Sequence, residues 1–77
     1  MSVRVLFFGF LAERAGAPEK RYEAVTDTNA LEAMVAGEIE GLQEYSYIVS
    51  VNRQAIRGNT PLNDGDEVAF LPPFAGG

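Results

Sequence analysis

The sequence has no cysteine and no histidine. Without cysteine there is neither a disulfide staple nor a thiolate to hold a metal. Without histidine the commonest general base and metal ligand is also missing, so Ser2, Ser46 and Ser50 have no imidazole to activate them. Positive charge is scarce: six Lys and Arg stand against eleven Asp and Glu, a net charge of −5. That balance argues against a phosphate-backbone partner and suits a basic patch on another protein. No apolar run is long enough to span a membrane, and no charged, then apolar, then small-residue leader opens the chain. A cytoplasmic location is the resulting expectation. A single domain of 77 residues buries only about 60% of its unfolded surface and has little room for a deep private cleft.

The most distinctive stretch is the last one. Leu62-Asn63-Asp64-Gly65 reads as a turn, since Gly accepts positive φ and Asp bonds its own backbone. Val68-Ala69-Phe70-Leu71 is a short apolar run that predicts a buried strand. Pro72 forces Leu71 into the extended region. Neither Pro72 nor Pro73 has an N–H to pair, so the sheet ends there. Phe74, Ala75, Gly76 and Gly77 complete the sequence. A large apolar side chain on a segment leaving the core suggests a partner pocket. The two glycines could pass through a channel too narrow for any side chain. The expected division is a domain over residues 1–71 and an extended tail over 72–77.

Upstream, Val3 to Phe10 predicts a first strand, nearly all apolar and therefore central, with Gly9 marking a close approach or bulge. Phe10 to Ala15 predicts one or two helical turns closed by Gly16. Glu19 to Val25 predicts a charged edge strand with Tyr22 and Val25 as its packing residues. Thr26-Asp27-Thr28-Asn29 is a cluster of N-cap candidates, and Asn29 with Glu32 resembles a capping box. Leu31, Met34, Val35, Ile39 and Leu42 recur at helical spacing as a core stripe, with Glu32, Glu38 and Glu40 toward water. Tyr47 to Val51 predicts a third strand, and Ala55-Ile56-Arg57 a short fourth. The first and last strands, being the most apolar, are expected side by side and parallel, with the helix crossing over one sheet face. The fold class is therefore α+β: a β-grasp, ubiquitin-like mixed sheet of four to five strands with one main helix.

No catalytic side-chain set emerges. Asp64 and Asp66, separated by Gly65, read as a solvated turn rather than a metal or acid–base site, and Arg53 and Arg57 as routine hairpin charges. By elimination the distinctive reactive group is the carboxylate of Gly77. A carboxylate is an anion at neutral pH and a poor electrophile, so an ATP-using partner would have to activate it.

The start, Val5-Leu6-Phe7-Phe8-Gly9, and the end, Pro61-Leu62 and Asp64 through Pro73 to Gly76-Gly77, resemble the small subunits of molybdopterin synthase, the MoaD family of ubiquitin-like sulfur carriers. The resemblance covers essentially the whole length, in pattern only from Tyr22 to Glu44. It implies that Gly77 is adenylated by a ubiquitin-activating-type, MoeB-like adenylyltransferase and converted to a thiocarboxylate. It also implies that the tail enters a MoaE-like large subunit and gives sulfur to a cyclic pyranopterin monophosphate, two carriers in turn forming the molybdopterin dithiolene. Such assemblies are heterotetramers. Gly76 and Gly77 carry over as the reactive tail; Phe70, Leu71, Pro72, Pro73 and Phe74, with Phe7, carry over as the docking stretch. The chain itself would bind no cofactor or metal; ATP with magnesium would serve the activating partner. It would be a subunit of a sulfurtransferase without catalytic side chains of its own. The sequence departs from the family where relatives often place Arg-Glu after the first strand: Ala12-Glu13-Arg14 stands here. A thiamine-pathway carrier, a protein modifier and a non-covalent β-grasp module are the alternatives.

Overall fold

The computed structural model describes residues 1–73. Five strands form one sheet: β1 Ser2–Phe7, β2 Glu19–Glu23, β3 Ile48–Val51, β4 Gln54–Ala55 and β5 Glu67–Leu71. Their spatial order is β2-β1-β5-β3-β4. β1 runs parallel to β5, with Val5 opposite Val68 and Phe7 opposite Phe70; the other neighbours are antiparallel. This is the expected β-grasp arrangement, with the two most apolar strands adjacent and β5 at the centre.

Two helices follow the strands that feed them: α1 Phe10–Ala15 and α2 Thr28–Glu38. Gly16 ends α1 at φ 84°, the left-handed value anticipated for it. α2 lays Leu31 and Val35, followed by Ile39 at its C-cap, into a core shared with Val3, Val5, Phe7, Val68 and Phe70. These positions are four apart and so share one face of the helix. Met34, expected in the same stripe, lies off that face and is 42% exposed. The helix start also differs from expectation. Asp27 is the N-cap, its Oδ1 accepting from Ala30 N at 2.8 Å, and Asn29 lies inside the helix. Glu32 is therefore no capping-box partner: its carboxylate accepts from the Tyr47 hydroxyl at 2.8 Å.

Some strand ends fall short of the sequence reading. β1 stops at Phe7 because Gly9 turns the backbone to φ 59° and opens α1. β2 stops at Glu23 because Ala24 adopts φ 59°; Val25 is still buried, at 1% exposure. The Asp64–Asp66 turn is structural. Asp64 Oδ1 accepts from Ser2 N, and Asp66 accepts from Asn52 Nδ2 and Asn63 N. Among the described residues no cluster of acidic side chains is placed to hold a metal ion, and no helix is long and apolar enough to cross a membrane.

On the helix side, tyrosine hydroxyls meet carboxylates. Tyr22 and Lys20 both donate to Glu38 Oε1. The hydrogen bond from Tyr22, with help from Lys20, holds the Glu38 carboxyl below its ordinary range. Burial, reinforced by Glu32, pushes the Tyr47 hydroxyl up to about 12. These pairs fasten α2 to strand β2 and to Tyr47, the residue just before β3.

Candidate docking face and tail exit

Side chains alternate across a strand, so the central strands present two different faces. On β5, Val68 and Phe70 point into the core, both fully buried. The Phe70 ring lies 5.5 Å from that of Phe7 and 5.4 Å from that of Tyr47, centre to centre. This corrects the sequence reading of Phe70 and Phe7 as docking residues. Both rings face α2 and the core; Phe7 is 3% exposed, which leaves no area to offer a partner.

Among the described residues no helix covers the opposite face. That face carries Leu6, Phe8, Ile48, Ala69 and Leu71, which line an open groove of about 760 Å³ together with Arg4, Glu19, Ser50, Arg53, Ala55 and Glu67. Phe8 is 44% and Ile48 37% exposed. The pairing of Ile48 with Leu71 and the hydrogen bond from Phe8 N to Phe70 O bring the apolar members to one end of the face. This is the end at which β5 leaves the sheet. Of the expected docking residues, Leu71 and Pro72 are half-buried here and Pro73 is exposed. The sequence reading passed over Phe8, Leu6 and Ile48. The signal was present: alternation from buried Phe7 puts Phe8 on the other face.

Pro72 rests on Gly9. A Cβ at Gly9 would come within 2.9 Å of Pro72 Cγ, and Gly9 has φ 59°. The close approach anticipated at Gly9 is thus the seat of the exiting chain. Phe74, Ala75, Gly76 and Gly77, which include the expected reactive end, lie outside the described residues. Arg14, in the segment where the sequence departs from the expected pattern, lies with its guanidinium carbon 5.4 Å from the centre of the Tyr45 ring, a cation–π contact within this chain.

A five-stranded mixed sheet with one main helix packed on one face and its C-terminal strand at the centre defines a ubiquitin-like β-grasp protein. Residues 5–77 match the model of the ThiS family, and the chain belongs to that family. The molybdopterin synthase sulfur carrier subunit of Escherichia coli strain K12 is 34% identical, the match covering 97% of this chain and 99% of that one. A solved complex of subunits 1 and 2 of molybdopterin-converting factor from Helicobacter pylori 26695 contains a chain 35% identical to this one, with full coverage of both and a TM-score of 0.74. SAMP1 from Haloferax volcanii is 28% identical, with full coverage and a TM-score of 0.76.

Proposed function

We propose that this chain is the sulfur-carrying small subunit of a molybdopterin synthase. The observation that carries the reading is the 34% identity, over 97% of this chain, with the Escherichia coli sulfur carrier subunit. The molecular surface agrees with it: an apolar sheet face sits beside the point where β5 passes into Pro72-Pro73. The Helicobacter pylori complex supports a large-subunit partner, because the relative that resembles this chain is there paired with subunit 2.

In this reading the work of the folded domain is presentation. A ubiquitin-activating-type enzyme directs the Gly77 carboxylate oxygen at the α-phosphorus of ATP. Pyrophosphate leaves and an acyl adenylate forms. A sulfur nucleophile then displaces AMP, giving the thiocarboxylate. In the large subunit the thiocarboxylate sulfur attacks a carbon of the pyranopterin and displaces an oxygen substituent from it; water then cleaves the acyl–sulfur bond, leaving the sulfur on the pyranopterin and a free carboxylate on Gly77. Each step uses groups of the partners and the terminal acyl group of this chain, which agrees with the absence of histidine and cysteine. The chain stays in the cytoplasm, where both partners and ATP are available.

The test is intact mass spectrometry of the chain after incubation with an activating enzyme, ATP, magnesium and a sulfur source. The expected result is replacement of one oxygen by one sulfur at Gly77, lost again when the large subunit and precursor are added. An unchanged mass with every component present would refute the reading. The likeness to SAMP1, a small archaeal modifier protein, supports a second reading, attachment to other proteins. Thiol-resistant, high-mass adducts ending in Gly77 would identify it. The family match bears the name of the thiamine-pathway alternative; sulfur transfer to a thiazole synthase and none to the large subunit would select that one.

A further inference from the structure

Away from the tail exit, the uncovered sheet face ends in a row of arginines. Strand register sets Arg21 of β2 opposite Arg4 of β1, and Arg4 opposite Glu67 of β5. The next position across the sheet is the β3–β4 turn, because Asn52 N donates to Glu67 O at 2.7 Å. That turn carries Arg53, with its side chain 88% exposed. Three of the six cationic residues of an acidic chain therefore lie in one row.

The row is only partly neutralised. Glu67 Oε1 accepts from Arg4 Nη2 at 2.6 Å, and its Oε2 lies 4.0 Å from Arg53 Nε. Glu19, one row nearer the tail, lies 3.9 Å from Arg4 Nε. Arg21 has no ion-pair partner among the described residues. Two features of the row disfavour the isolated chain. Like charges directly opposite each other on neighbouring strands repel, as Arg4 and Arg21 do. Arg53 also sits at φ 73° beside Asn52 at φ 51°, the second place of a two-residue turn that favours glycine. Local costs that persist at an exposed site point to a use outside the fold.

The row is continuous with the groove described above, since Arg4, Arg53 and Glu67 form its polar end. We propose that the arginine row contacts an acidic strip on the large synthase subunit and sets the orientation in which the chain docks. This rests on the small-subunit reading. The apolar end of the face supplies contact area near the tail, while the guanidinium groups at the other end fix rotation about that contact. Arginine suits the task, because its planar fork meets carboxylates two-pronged. Charges at an interface edge act chiefly on encounter rate and orientation.

The experiment compares the full chain with Arg21→Gln, Arg53→Gly, the double variant and Arg21→Lys. Association with the purified large subunit is followed by stopped flow from low to physiological salt, alongside denaturant unfolding of each chain. The double variant should be at least as stable as the parent and associate roughly tenfold more slowly at low salt, the gap closing as salt screens the charges. Arg21→Lys should keep most of the rate. Equal rates and salt dependence for parent and double variant would overturn the proposal while leaving the small-subunit reading intact. A rate loss matched by loss of stability would assign the row to folding and overturn it too. Failure of the parent chain to bind the large subunit at all would overturn both.

Discussion

Phe7 and Phe8 are neighbours in sequence with opposite expected phenotypes. Phe8 is 44% exposed in the free chain and lines the uncovered groove. A phenylalanine offers roughly 200 Å² of surface, so about 90 Å² is open to a partner. At about 25 cal/mol per Å², covering it contributes about 2 kcal/mol, or roughly a 30-fold change in Kd. Phe8→Ala should therefore weaken binding to the large subunit by about that factor, with a modest loss of stability from the packed half of the ring. Phe7→Ala should do the reverse. Its ring is 3% exposed and packs on Phe70, and such truncations cost about 3–5 kcal/mol of stability. Isothermal titration against the large subunit and urea unfolding of each chain separate the two effects. Unchanged affinity for Phe8→Ala in a folded chain would show that the partner does not use this face.

The remaining predictions concern the tail, the acid limb and the helix cap. One residue added after Gly77 should abolish thiocarboxylate formation with the urea midpoint unchanged; a fully active extended chain contradicts the carrier reading. Phe74→Ala should weaken large-subunit binding by about 1–3 kcal/mol if the ring is buried there, and unchanged titration would remove Phe74 from the docking set. The folded-state pKa of Glu38 is lowered, chiefly by the hydrogen bond from Tyr22. Its stabilising contribution is thus complete above the ordinary Glu range near ~4.3 and is lost as pH falls through the lower folded value. Glu38→Gln should flatten that part of the stability–pH curve, measured as urea midpoints down the acid limb; a parallel curve would show that the pairing contributes nothing. Asp27→Ala should cost about 1 kcal/mol by removing the N-cap bond to Ala30, whereas Asn29→Ala should cost less, and equal losses would place the cap elsewhere.

Much of the fold is legible because its signals are local. The apolar runs from Val3 and from Val68, the left-handed stop at Gly16 and the spacing of Leu31, Val35 and Ile39 each depend on a few adjacent residues. The helix cap was misread for a physical reason. Four capping residues stand in a row, and the choice among them is made by contacts from far along the chain. Thr28 Oγ1 accepts from Thr60 N at 2.9 Å, and Asn59 Oδ1 accepts from Asn29 N at 2.8 Å. These bonds fasten residues 28 and 29 to the loop at 59–60 and leave Asp27 as the cap. Glu32 follows the same logic, since its partner Tyr47 lies fifteen residues on, just before β3, where the helix pattern cannot reveal it.

The central strands explain why the docking face was harder to see than the fold. The run Val5-Leu6-Phe7-Phe8 and the run Val68-Ala69-Phe70-Leu71 are apolar at every position, and such strands are expected to be buried on both sides. Among the described residues only one side is covered: Val5, Phe7, Val68 and Phe70 lie in the core with α2, while Leu6, Phe8, Ala69 and Leu71 line an open groove. A half-exposed strand normally alternates apolar with polar residues; these two do not. The pattern therefore suits a second covering layer, which the described residues do not supply. A large subunit seated on that face would complete the burial the sequence encodes and bring its pocket to the end of β5 where the tail begins. The same pleat that buries Phe7 and Phe70 in the core leaves Leu71 on the open face and adds Phe8 to it.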